Sequence, residues 1–345
     1  MGSPRKLVIA VDESDASDNA FHWVLHNLAR KSDHIVVLNS APYVGLQFPD
    51  PDIANEYIIP SVASVEAVEE AEKAVTEKSQ ALVSKYLTQC QEIGVSCEGE
   101  VVKGEPASWI VDESERLHAD VVAVGSKDLG VIKRTLLGSV ADQVLHGAHC
   151  PVVIVRSSEA LEANPSLQTS DKSRNIVIAV DDSKEAVDAF VWALHNFCKE
   201  TDKVTIYHVH NSTVPSVTAA GTGEFGMEEV YATPDSTDEM EVKALTDSEK
   251  LVERFMAYMS RETKVSCEGL VVTGQTEAMV CEGLAALKAD AVVVGTHDKG
   301  VLARTFLGSV SDFLAHESPC PVIVVKQRKT NRVADLNGPA HTHTS

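Results

Sequence analysis

Residues 125–140 read GSKDLGVIKRTLLGSV, and residues 295–310 read GTHDKGVLARTFLGSV, so that ten of the sixteen positions are identical. Each stretch directly follows a short run of Val and Ala, which is typical of a buried strand. A glycine-rich segment between a strand and a helix lets the backbone approach an anion, and the N–H groups of the first helical turn point towards it. The sequence therefore predicts a site for an anion such as a nucleotide phosphate, and predicts it twice.

The repeat extends outward from this motif over nearly the whole chain. VIAVD at 8–12 recurs at 177–181, VSCEG at 95–99 recurs at 265–269, and CPV at 150–152 recurs at 320–322. A chain of 345 residues is long enough for two domains that each bury a core. We expect domains at 1–156 and 175–326, a polar linker at 157–174, and a disordered tail at 327–345.

Within each copy, apolar strand segments alternate with helical segments. Continuous apolar strands separated by helices favour a parallel sheet that is covered on both faces. We predict an α/β fold with two tandem, doubly wound, five-stranded parallel sheets in the strand order 3-2-1-4-5. In this order Asp12 and Gly125 follow or end strands one and four, where a ligand crevice opens at the switch point.

The last strand of each copy lies at an edge of its predicted sheet. Exposed apolar edges favour association, so we expect Val152–Val155 and Val322–Val325 to pair within the chain about a pseudo-twofold axis. The alternative is a pair of domains that move independently on a flexible linker. A homodimer is a further expected form of association.

Composition excludes several classes of function. The net charge of −21 argues against nucleic-acid and anionic membrane partners, which require clustered Lys and Arg. No apolar run approaches the roughly 20 residues of a membrane span, and the first strand begins too early for a signal peptide. The seven cysteines show no CxxC and no zinc-binding spacing, which is typical of thiols in a reducing compartment. We expect a cytoplasmic protein.

Taken together, the motifs resemble those of the universal stress protein family, in its ATP-binding branch. The family pattern is G-x2-G-x9-G-(S/T) after the fourth strand, with an Asp at the end of the first strand, and the resemblance covers about 6–156 and 175–326. It implies bound ATP or AMP. The implied adenine and ribose contacts are Val11, Asp12, Ser40 and Val124 in the first copy, and Val180, Asp181, Val209 and Val294 in the second. The implied phosphate contacts are Gly125, Gly138, Ser139 and Val140, and correspondingly Gly295, Gly308, Ser309 and Val310.

Two features depart from the family pattern. Ser40 stands where the family usually has an apolar residue, whereas Val209 keeps it. The second glycine of the family pattern is Asp128 in one copy and Asp298 in the other. A carboxylate about 4 Å from a phosphate would repel it by on the order of 4 kcal/mol at an effective dielectric constant near 20. Either the side chain points to solvent and Gly130 or Gly300 provides the close approach, or the carboxylate holds a Mg²⁺ that bridges the phosphates.

Several of these residues have a structural alternative. Asp12 and Asp181 either accept hydrogen bonds from ribose hydroxyls or help to start the next helix, although Ser14 and Ser183 are also suited to capping that helix. Ser139 and Ser309 are expected to be N-caps, because an Asp follows each of them three residues later. Such a cap uses only some of the first-turn N–H groups, so a phosphate contact remains compatible with it.

The sequence contains no Walker A lysine and no GxSxG nucleophile motif. We therefore expect a nucleotide-binding stress-response or regulatory protein, not an enzyme beyond slow ATP hydrolysis. The alternative is a nucleotide-free dimerisation or scaffold protein whose pockets have degenerated. Protein partners and the triggering stress are not encoded in any motif.

Overall fold

The structure is a computed structural model that describes residues 4–41, 65–127, 137–157, 173–211, 234–296 and 307–326. The chain folds as two compact units, which are presented separately below. Among the helices of the described residues, none combines the length and the apolar character that crossing a bilayer requires.

The first unit alternates strands and helices along the chain. Its elements are β1 (Lys6–Ala10), α1 (Asp15–Asn27), β2 (His34–Ala41), α2 (Val65–Ile93), β3 (Ser96–Lys103), α3 (Pro106–Arg116), β4 (Val121–Lys127), α4 (Ser139–Gly147) and β5 (Val152–Ser157). The strands pair in the order β3-β2-β1-β4-β5, and every pair is parallel. The predicted fold class and strand order are therefore confirmed for this unit.

The second unit repeats this arrangement. Its elements are β6 (Asn175–Ala179), α5 (Lys184–Asn196), β7 (Lys203–His210), α6 (Pro234–Glu262), β8 (Ser266–Thr273), α7 (Thr276–Ala286), β9 (Ala291–Gly295), α8 (Ser309–Glu317) and β10 (Val322–Val325). The strands pair in parallel in the order β8-β7-β6-β9-β10. The expected pairing of the two copies through their last strands stays a prediction, as do the domain boundaries.

The central strands are buried on both faces because helices cover the sheet. In β6 the residues Ile176–Ile178 are at most 1% exposed, and Val292 and Val293 of β9 are fully buried. An aromatic pair joins the first and second helices of each unit. The ring centroids of Phe21 and Tyr86 lie 4.5 Å apart, and those of Phe190 and Phe255 lie 5.0 Å apart. Aromatic pairs of this kind add stability beyond their buried area.

A buried ion pair also repeats in the two units. Arg174, just before β6, donates from Nε and Nη2 to the carboxylate of Asp202 at 2.9 and 2.6 Å. Arg5 donates to Asp33 in the same way at 3.0 and 2.5 Å. Each aspartate also accepts a backbone N–H from the turn after the first helix of its unit. The pair thus ties this turn to the beginning of the central strand.

Candidate functional site

A cleft of about 1260 Å³ opens in the second unit at the carboxyl ends of β6 and β9. This is the switch point of the sheet, where α/β proteins generally bind ligands. All eight residues predicted for the second copy outside 297–306 line it, namely Val180, Asp181, Val209, Val294, Gly295, Gly308, Ser309 and Val310. The structure therefore brings these eight residues together around one space.

The other predicted residues lie in the first unit or outside the described residues. In the first unit, Val11 and Asp12 follow β1, and Val124 and Gly125 lie in the neighbouring strand β4. Ser40 lies near the end of β2, and Gly138, Ser139 and Val140 lie at the beginning of α4. Asp128, Gly130, Asp298 and Gly300 lie outside the described residues.

One prediction about the phosphate end was wrong. The N-caps of α4 and α8 are Gly138 and Gly308, and no side chain caps either helix. Ser139 and Ser309 are the first helical residues instead, so they cannot form the expected capping box. Gly138 has φ −58° and ψ 142°, an extended conformation that lies outside the helix. Glycine is itself a good N-cap, so the cap lies one residue earlier in the Leu-Gly-Ser sequence than predicted.

Because the caps are glycines, no side chain of the described residues accepts the first-turn N–H groups of either helix at its cap. The first N–H that returns to the cap carbonyl is that of Asp142, at 2.9 Å from Gly138, and that of Asp312, at 3.0 Å from Gly308. The three preceding N–H groups of each helix have no acceptor within the helix. In the second unit these belong to residues 309–311, all of which line the cleft. The helix dipole adds a partial positive charge of about half a unit at the same point.

Gly125 in β4 and Gly295 at the end of β9 allow a close packing contact, while the phosphate contact predicted for them stays a prediction. A Cβ on Gly125 would lie 2.3 Å from the carbonyl oxygen of Ala16, and one on Gly295 would lie 2.5 Å from that of Glu185. The backbone of the strand thus packs directly on the beginning of α1 or α5. By contrast, a Cβ on Gly138 would meet no atom of the described residues within 4 Å. Packing within the described residues therefore requires glycine at 125 and 295, but not at 138.

The strand-end aspartates take part in the turn before the first helix. Oδ1 of Asp181 accepts the backbone N–H of Ser183 at 2.9 Å and also a short hydrogen bond from its hydroxyl. Asp12 and Ser14 make the same contacts. Both serines are the N-caps of their helices, as expected. The aspartates are exposed, and the cleft wall includes Asp181, so the turn orients a carboxylate towards the ligand space.

Next to these aspartates, buried apolar side chains surround the end of the first strand of each unit. Val11, Val124, Val180, Val209 and Val294 are at most 8% exposed. Such a lining suits a flat aromatic base. The hydroxyl of Ser40 donates to the carbonyl of Gly104 at 2.9 Å, so its polarity is satisfied within the protein.

Sequence reasoning missed two polar residues beside this lining. Nδ2 of Asn39 donates to the carbonyl of Val11 at 2.8 Å, and Nδ1 of His208 contacts the carbonyl of Val180 at the same distance. They occupy equivalent positions, one residue before Ser40 and Val209. The available signal was a polar residue at the same position near the end of both strands.

A third polar group is particular to the second unit. His210, which is 6% exposed, has Nδ1 at 3.2 Å from the hydroxyl of Ser248 and Nε2 at 3.3 Å from the carboxylate of Glu241. The equivalent residue of the first unit is Ala41. His210 and Ser248 line the cleft and link its wall, α6, to the end of β7.

The charges around the cleft are predominantly negative. Among the described residues that line it, four carry carboxylates and only Arg254 carries a permanent positive charge. The carboxylates are Asp181, Asp182, Asp247 and Glu277. An anionic ligand therefore meets attraction from the α8 N-terminus and repulsion from the surrounding side chains.

Comparison with known proteins gives a consistent result. A sequence model of the universal stress protein family matches residues 4–156 and again residues 172–326. A universal stress protein of Methanocaldococcus jannaschii is 33% identical over 156 residues, which are 44% of this chain and 82% of that protein. Another, from Mycolicibacterium smegmatis, is 26% identical over 324 residues, or 93% of this chain and 97% of that protein. The crystal structure of a universal stress protein from Archaeoglobus fulgidus has a TM-score of 0.60 at 20% identity, covering 93% of this chain and 98% of that one, and so shares its fold.

Proposed function

Because the chain belongs to the universal stress protein family, we propose that the switch-point sites of its two units bind adenine nucleotides, ATP or AMP, in a stress-response or regulatory role. The observation that carries this proposal is the glycine-capped helix at the cleft. Three first-turn N–H groups of α8 face a space of about 1260 Å³ without any side-chain cap. This is the arrangement in which helix N-termini bind phosphate.

The other parts of a nucleotide have suitable surroundings in the same cleft. The exposed carboxylate of Asp181 is an acceptor for the hydroxyls of a ribose. The apolar surroundings of Val180, Val209 and Val294 suit a base. Groups suited to a phosphate, a ribose and a base thus line one cleft, and the first unit has the corresponding residues in its strands.

We propose that Mg²⁺ accompanies ATP into the cleft. Four carboxylates line it, and an unscreened triphosphate would be repelled by them. Carboxylate and phosphate oxygens are the ligands that Mg²⁺ prefers, so a shared cation would convert this repulsion into attraction. AMP carries fewer charges and should depend on Mg²⁺ less strongly.

The role of the site is binding, with at most slow hydrolysis. A seat of backbone N–H groups stabilises the phosphates of the bound nucleotide as well as those of a transition state, and such uniform binding does not accelerate the reaction. Turnover measured as phosphate release at saturating MgATP should therefore be well below the roughly 10 s⁻¹ that is typical of enzymes.

The proposal can be tested with Gly138→Ser and Gly308→Ser. A serine N-cap would offer its own oxygen to the first-turn N–H groups, a contact worth about 1 kcal/mol, and should weaken ATP binding about fivefold. The matched controls are Gly138→Ala and Gly308→Ala, which add the same Cβ without a competing oxygen. Calorimetric titration with ATP and AMP, with and without Mg²⁺, gives the affinities. Absence of binding by the unmodified protein at millimolar nucleotide would instead favour a nucleotide-free scaffold.

A further inference from the structure

We propose that Asn39 and His208 contact the nucleoside directly, by accepting a hydrogen bond from an N–H or O–H group of the ligand. The inference rests on the proposed nucleotide function and adds a contact at positions outside the glycine motif. The donor is either the exocyclic amino group of adenine or a ribose hydroxyl.

The hydrogen bond of His208 determines which ring nitrogen can accept. A backbone carbonyl can only accept a hydrogen bond, so Nδ1, at 2.8 Å from the oxygen of Val180, must carry the proton. In the neutral imidazole the other nitrogen, Nε2, then has a free lone pair. His208 is partly exposed and lines the cleft between Val180 and Val209. The described residues supply no hydrogen bond to this nitrogen.

Asn39 shows the same chemistry with a different side chain. Its amide nitrogen must be the atom that faces the carbonyl of Val11 at 2.8 Å, because an amide oxygen could not donate there. The residue is 5% exposed, and its Oδ1 is buried with no hydrogen-bond partner among the residues that the structure describes. A buried acceptor of this kind is rare in folded proteins and is usually satisfied by a water, an ion or a ligand.

The first unit has Asn39 where the second has His208, and what the two side chains share indicates which chemical groups this position requires. Asparagine and histidine differ in shape and aromaticity, yet both combine one N–H for the strand-end carbonyl with one acceptor. Leucine or valine would offer neither group, and lysine or arginine would offer no acceptor. Once the N–H group is used in the anchoring bond, the feature that both side chains still share is a hydrogen-bond acceptor beside the end of the first strand. We infer that a hydrogen-bond donor of the nucleoside pairs with this acceptor.

The test combines nucleotide analogues that each lack one hydrogen-bond donor with a protein variant that lacks both acceptors, and compares their affinities in a thermodynamic cycle. Inosine triphosphate lacks the amino group of ATP, and 2′-deoxy-ATP and 3′-deoxy-ATP each lack one hydroxyl. The double variant Asn39→Leu/His208→Leu removes both acceptors. The double variant Asn39→His/His208→Asn exchanges the two residues and keeps both acceptors, which makes it the matched control.

We expect the leucine variant to lose about tenfold in its preference for ATP over one of the three analogues, as one hydrogen bond allows, whereas the exchanged variant should keep the preference of the unmodified protein. A ribose preference that comes from Asp12 or Asp181 is common to all three proteins and cancels in this comparison. If the preference for ATP over each analogue is the same in the leucine variant as in the unmodified protein, the inference is overturned and the proposed function stands. If the unmodified protein binds none of the four, the proposed function itself fails.

A second measurement does not depend on the folding of the leucine variant. In protein with ¹⁵N-labelled histidine, the long-range ¹H–¹⁵N spectrum distinguishes a protonated ring nitrogen from one with a free lone pair. We expect His208 to show a protonated Nδ1 and an Nε2 resonance that shifts when ATP is added. A protonated Nε2 in the neutral ring, or no shift at saturation, contradicts the inference.

Discussion

The substitution Gly125→Ala should destabilise the first unit, although it adds only one methyl group. The new Cβ would lie 2.3 Å from the carbonyl oxygen of Ala16, 2.4 Å from its carbonyl carbon and 2.6 Å from the nitrogen of Ser17. Normal contacts between such atoms are about 3.5 Å. All three atoms belong to the backbone at the beginning of α1, so no side chain can rotate out of the way.

The cost can be estimated from the size of this overlap. Relief requires a movement of about 1 Å between β4 and α1, and overpacking of a well-packed site typically costs 1–3 kcal/mol. We expect the upper end, about 3 kcal/mol, for Gly125→Ala. Gly295→Ala should cost less, since its contacts at 2.5, 2.7 and 3.2 Å are less severe. Gly138→Ala, whose Cβ meets no atom of the described part of the chain within 4 Å, should cost at most about 1 kcal/mol through the poorer N-cap.

Thermal unfolding followed by circular dichroism measures the loss of stability in these three glycine-to-alanine variants. For domains of 150–250 residues, 1 kcal/mol corresponds to roughly 2–4 °C in Tm, so Gly125→Ala should lower the Tm of its unit by about 6–12 °C. The three variants should rank in the order 125, 295, 138. A Gly125→Ala protein that melts within 1 °C of the unmodified protein, or a Gly138→Ala protein that is equally unstable, would refute the packing argument.

Three further predictions concern buried groups. Asp202→Ala should cost about 3–5 kcal/mol in urea unfolding, because it leaves Arg174 as a buried charge without its carboxylate; an effect below 1 kcal/mol would contradict this. Burial, together with the nearby Asp18, raises the pKa of Tyr86 to about 12. The unfolded chain then loses this proton first, so stability should fall as the pH rises from about 10 to 12, and Tyr86→Phe should reduce that fall. Burial raises the pKa of Cys320 to about 12, and the residue is 6% exposed, so its thiol should react with a disulfide reagent at pH 8 only after unfolding.

The fold was predictable because its signals are local and repeated. Short apolar runs alternate with helical segments, and the handedness of the crossovers leaves few strand orders. The apolar run at 121–124 covers only the first part of β4. Ser126 and Lys127 continue the strand by pairing with Arg156 and Ser157. Polar residues can extend a strand when a neighbouring strand supplies their hydrogen bonds, and this neighbour is about 30 residues away in sequence.

The sequence predicted the backbone features of the candidate site, such as the helix N-terminus, but not the contacts that its side chains make. The glycine motif indicated a helix N-terminus at a strand end, but the purpose of Gly125 depends on the approach of Ala16, which belongs to another element. Asn39 and His208 were missed for a similar reason. Their anchoring bonds join the end of one strand to that of its neighbour, and only the register of the two strands brings these atoms together.

The division between backbone and side-chain contacts also explains how two copies can diverge around one function. A phosphate seat made from first-turn N–H groups depends on backbone geometry, which Gly138 and Gly308 preserve in both units. The N–H groups of a helix N-terminus provide a local positive potential by themselves, in a chain of net charge −21. Under the proposed function, side chains near the base are under a weaker constraint, since any residue that keeps the anchoring bond and an acceptor serves. Ala41 and His210 stand at equivalent positions without a shared hydrogen-bonding side chain, so the proposed sites of the two units are free to differ there in ligand preference.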